Sequence, residues 1–122
     1  MAVTKQDMDL TTGLTVVRDT DADSTSEADM NTGAATLYLV SIDNSANASQ
    51  KNYFKLYDAV APTIGTTAPD MIIPCPGGST VTLAILEGLS FATGISAACV
   101  TTGGTGGITN PTSDVITVLV FA

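Results

Sequence analysis

The chain has 122 residues, 44% of them apolar and only 13% charged, with twelve acids against four bases, a net charge of −8, and no histidine or tryptophan. That balance excludes the clustered Lys and Arg that nucleic acid or an anionic membrane surface needs, and no apolar run reaches the roughly 20 residues that span a bilayer. Soluble domains carry roughly 25% charged residues, so a surface this poor in charge points to burial against partners.

Residues 1 to about 33 read as an arm and an acidic loop at the head of a single domain, 1–122. The opening MAVTKQDMDL lacks the apolar centre of a secretory signal, so synthesis and folding in a cytoplasm are expected. Strands are expected at 13–18 (GLTVVR), 35–42 (ATLYLVSI), 52–57 (NYFKLY), 71–74, 80–86 (TVTLAIL), 89–92, 95–100 and 114–121 (DVITVLVF), each bounded by Gly, Pro, Asn, Asp, Ser or Thr. About eight short strands without a helical stripe define an all-β chain, an antiparallel β-sandwich of jelly-roll or Greek-key type. The prolines of Ala61-Pro62 and Ala68-Pro69 stiffen the linker around Gly65, and the segment is expected to serve as a crossover. Pro74-Cys75-Pro76-Gly77-Gly78 ends a strand and reverses the chain.

The alternation assigns faces. Phe54 and Leu56 point to the core, with Tyr53, Lys55 and Tyr57 behind them. Val81, Leu83 and Ile85 share one face, backed by Thr80, Thr82 and Ala84. In residues 35–42, Tyr38, Val40 and Ile42 back Leu37 and Leu39. The last strand is apolar on both faces; Ile116, Val118 and Val120 are assigned to the core, and Val115, Leu119 and Phe121 to the other side. A strand apolar on both faces needs a second cover, either a loop or a neighbouring subunit. The shortage of charge favours the subunit. The expected interface is therefore Tyr53, Tyr57, Val115, Leu119 and Phe121, in a homo-oligomer such as a trimer.

The residues offer little catalytic chemistry. Asp19, Asp21 and Asp23 alternate as calcium ligands do, but Ser24 stands where an EF-hand loop has glycine and Met30 where it has its last glutamate. A solvated acidic loop from Asp19 to Asp29 is expected instead, with no bound metal or cofactor. TTGGTGGIT (101–109) lacks the lysine and helix of a phosphate loop. No histidine is present to activate a nucleophile, and neither cysteine has a cationic neighbour in sequence. Paired carboxylates alone make a glycosidase a poor fit to a chain with so few aromatics. Cys75 and Cys99 read as small buried hydrophobes, and a bridge between them stays open. Asn47-Ala48-Ser49 is a glycosylation sequon that has no meaning without secretion.

KLYD (55–58), APTIGTTAPDMIIPCPGG (61–78), EGLSFATGISAACVTTGG (87–104) and a terminal strand ending VLVFA together resemble small virion structural proteins of tailed bacteriophages. The resemblance spans residues 52–122 and carries no catalytic residue. It implies a location in the virion, and most directly a capsid decoration (cement) protein. Such a protein would bind the major capsid protein on the outer head surface and stabilise the lattice through many copies engaging at once. The alternative is a tail or tail-fibre module contacting the host surface. A small secreted-type lectin or hydrolase is a third reading, disfavoured by the missing signal and the few aromatics.

Overall fold

The computed structural model describes residues 3–7 and 13–122, without the side chains of 6, 7, 28 and 29. Nine strands are present among them: β1 Val3–Asp7, β2 Thr15–Ala22, β3 Glu27–Thr32, β4 Ala35–Asp43, β5 Asn52–Tyr57, β6 Met71–Cys75, β7 Thr80–Phe91, β8 Gly94–Val100 and β9 Val115–Phe121. They form a five-stranded sheet, β1-β2-β9-β4-β7, and a four-stranded sheet, β3-β8-β5-β6. Every ladder is antiparallel.

The pairings explain the order. β2 pairs with β9, β3 with β8, β4 with β7 and β5 with β6. This is one long hairpin that has rolled up, with its successive pairs falling alternately in the two sheets. The β4–β9 and β5–β8 ladders then close each sheet. Eight strands connected in this way make a jelly roll, to which β1 adds an edge strand.

The inner faces of the two sheets share a core that includes Val17, Leu37, Val40, Ile42, Phe54, Leu56, Ile95, Leu119 and Phe121. Phe54 and Leu56 point inward as expected, and Val81, Leu83 and Ile85 pack against the core from β7. The phase of β9 is the reverse of the expected one: Val115, Thr117, Leu119 and Phe121 are buried, while Ile116, Val118 and Val120 are only half-buried. Val115, Leu119 and Phe121 therefore belong to the core and not to an interface.

A bulge explains the reassignment in β4. The β9 register advances by one residue while β4 advances by two, from Leu37↔Phe121 to Leu39↔Val120. Tyr38 is the extra residue, so Leu37 ends up on the same side as Val40 and Ile42. Opposite it, β7 steps from Leu89 to Ala84, which joins the two expected strands 80–86 and 89–92 into one bulged strand. Gly88 sits in this step with φ 78°, and a Cβ there would run into the Thr36 side chain.

The acidic segment is also different from its expected form. Asp19 and Asp21 lie in β2, and Glu27 lies in β3. The Asp29 side chain lies outside the described residues. The proline-framed linker makes no crossover; it joins β5 to β6, neighbours in one sheet. Cys75 and Cys99 flank β5, at the registers of Asn52 and Phe54. Two strand spacings, about 9.5 Å, exceed the roughly 7 Å that a disulfide tolerates between Cα atoms, and both thiols are free and buried.

Candidate interaction surface

The outer face of the four-stranded sheet is covered by the chain itself. Lys55 and Tyr57 have no solvent access, yet they lie on the opposite side of β5 from Phe54 and Leu56. Two segments, 58–70 and 101–109, lie over this side. Ser96 Oγ donates to the Ala59 carbonyl at 2.6 Å, and Lys55 Nζ donates to the Gly107 carbonyl at 3.1 Å. Ile108 packs onto Gly65, and Gly103 lies against the Tyr53 ring. Gly107 approaches Thr102 so closely that a Cβ would overlap its carbonyl oxygen. Burial holds the Lys55 ammonium below its ordinary pKa and pushes the Tyr57 phenol up. Tyr57 is thus buried within the chain and unavailable to a partner. Tyr53 stays half-buried, with Lys51 Nζ 5.5 Å from its ring centroid.

Asp58 anchors this cover. Its carboxylate accepts the N–H groups of Ala92, Thr93 and Gly94, which hold its pKa below the ordinary value. At the other end of the sandwich, Asn44 gathers the loops. Its Oδ1 accepts from Asn47 Nδ2 at 2.9 Å and from Asn52 Nδ2 at 2.7 Å, and its Nδ2 donates to the Gln50 and Cys75 carbonyls. The Asn47 amide of the sequon is buried and also donates to the Ser113 carbonyl, so its nitrogen is engaged in the fold.

The outer face of the five-stranded sheet has no such cover among the described residues. The alternation turns Val16 and Arg18 of β2, Ile116, Val118 and Val120 of β9, Leu39 and Ser41 of β4, and Thr82 and Ala84 of β7 outward. The registers set Val16, Val120, Leu39 and Ala84 side by side across four strands. Above this row stand the bulge residues: Leu86 is 94% exposed and Tyr38 36%. A lone exposed leucine means little. One that continues an apolar row across a sheet marks a candidate contact surface. Arg18 is the one base on β2, β4, β7 and β9.

Asp19, Asp21 and Asp23 sit in different settings. Asp19 is fully buried, whereas Asp23 accepts the Thr25 N–H in a local turn, and no three of His, Cys, Asp or Glu gather as ligands among the described residues. Two polar clefts of about 250 Å³ each open beside the Asn44 loops, one of them lined by Asp21, Asp23, Asn110 and Asp114. No protein-family model matches the sequence, and no curated protein matches it either.

Proposed function

We propose that the chain is a structural component of a bacteriophage virion, and specifically a decoration (cement) protein of the head. One observation carries the binding part of this reading: the apolar row Val16–Val120–Leu39–Ala84, crowned by Leu86 and Tyr38, lies open on one sheet of the roll. The function is adhesion, not turnover, with the major capsid protein or sister copies, in a trimer for example, as the surfaces buried against it. The phage assignment rests on the sequence resemblance over residues 52–122. Jelly rolls also serve as capsid, lectin and cupin domains, so the fold agrees with this reading without selecting it.

The test is copy number and docking. Quantitative protein analysis of purified particles gives hundreds of copies for a head protein and a handful for a tail part. Purified protein co-sediments with emptied heads, and Leu86→Asp abolishes that binding. A few copies per particle and no head binding would overturn the cement reading. The polar clefts at the loop end favour a second reading, a tail or fibre module whose loops meet a host glycan, and that outcome would support it.

A further inference from the structure

The corner where β2 leaves the five-stranded sheet for β3 holds an acid that the contact surface does not use. Asp19 has 0% exposure. Its Oδ1 accepts the Asp21 N–H at 3.0 Å, and its Oδ2 makes no hydrogen bond. Thr117, its in-register neighbour on β9, is equally buried, and its hydroxyl also lacks a partner, so it gives the carboxylate no donor. The β1 residue in register is the apolar Val3. The titratable groups around Asp19 are Asp21 on its own strand, Glu27 on β3 and the Cys99 thiol on β8; Asp23 and Cys75 act in turn on that thiol.

No lysine or arginine faces this group among the described residues. Arg18 is exposed on the opposite side of β2, Lys5 Nζ lies 5.8 Å from the Phe121 ring centroid, Lys51 lies over Tyr53, and Lys55 is bound to Gly107 on the far side of the other sheet. Those four are all the lysines and arginines of the chain. An ionised carboxylate here is a buried charge with neither a counterion nor a full set of donors, a costly state.

We propose that the β2–β3 corner is a proton-operated latch, closed while the buried Asp19 carboxyl carries a proton and loosened when it loses it. The latch holds two cross-connections. Cys99 N–H donates to the Asp23 carbonyl at 2.7 Å, tying the corner to β8, and Ser24 N–H donates to Asn110 Oδ1 at 2.9 Å, tying it to the β8–β9 segment. Loosening them widens the cleft lined by Asp21, Asp23, Asn110 and Asp114. Burial first, then the carboxyls of Asp21 and Glu27, push Asp19 from 3.8 up to about 7, against the lowering effect of the Asp21 N–H. A value raised in the closed state means that the closed corner is most stable below the open-state value of 3.8 and loses that stability as pH rises to about 7.

The test is amide hydrogen exchange at Cys99 and Ser24 from mildly acidic to mildly alkaline pH, corrected for intrinsic rates, in the wild type and in Asp19→Asn. Wild-type protection falls by up to about tenfold per pH unit on the acid side and levels off once Asp19 is ionised, whereas the neutral variant shows no such fall. Asp19→Ser serves if the asparagine variant does not fold. Titration of the Asp19 carboxyl carbon by NMR in the wild type needs no variant at all. Equal pH dependence in wild type and variant, or a midpoint in the ordinary carboxylate range, overturns the latch. The inference does not depend on the virion reading.

Discussion

The two outer faces of the roll solve the same problem in opposite ways. The four-stranded sheet carries Tyr57, Ala98 and Val100 on its back, all buried outside the main core, and the 58–70 and 101–109 segments cover them. The five-stranded sheet carries Val16, Leu39, Val118 and Val120 on its back, and among the described residues no segment lies across them. A chain with so few charges could have solubilised the second face by substitution. That it keeps valines there is the reason for reading the face as a contact surface.

The largest expected effect fixes which side of β9 is which. Leu119→Ala leaves a core cavity and costs about 2–5 kcal/mol in urea denaturation. Val118→Ala, one residue away on the open face, costs under about 1 kcal/mol. Equal costs would dissolve the distinction between the sides. Next is the cover: Gly107→Ala forces the loop off Thr102 and costs about 1–3 kcal/mol, with faster proteolysis within residues 101–109 and unchanged association. On the open face, Leu86→Asp shifts folding stability by less than about 0.5 kcal/mol, yet it abolishes self-association in sedimentation at micromolar concentration. A wild-type monomer that also fails to bind heads would leave the open face without a role.

The smallest effect probes the charge beneath the cover. Burial lowers the Lys55 pKa from 10.5, so the unfolded chain holds that proton to higher pH than the folded one. Wild-type stability therefore rises relative to Lys55→Met as pH climbs through the interval below 10.5. Parallel stability–pH curves for the two proteins would show that the ammonium still reaches water through the loops.

The all-β class and the paired sheets follow from short β-branched runs and their punctuation, and the strands whose faces differ in polarity, such as NYFKLY and TVTLAIL, declare which side faces the core. VITVLVF does not. Its two sides are equally apolar, so period-2 alternation has no phase to report, and the one polar residue, Thr117, sits buried where polarity would predict exposure. β4 misled through Tyr38, since a bulge shifts the alternation without a mark in composition. β3 (EADMNT) is polar in sequence and takes its strand geometry from pairing with β8, burying only Met30 among its described side chains. Of the residues expected at an interface, Val115, Leu119 and Phe121 therefore lie on the core side of β9, and Tyr57 lies beneath the cover. Asp19 was out of reach altogether, because a buried acid in DTDAD looks the same as a solvated one.

The rolled hairpin has a consequence for how the molecule is made. β9 lies between β2 and β4, so the five-stranded sheet has no centre until the last strand is in place. A chain whose residues 115–121 are still inside the ribosome can form the β1–β2, β5–β6 and β4–β7 pairs, but nothing yet joins β2 to β4. β2 and β9 are far apart in sequence, and pairing across such a separation slows folding. Until they meet, the edge of β4 that β9 will occupy is open to any other strand, including that of a sister copy.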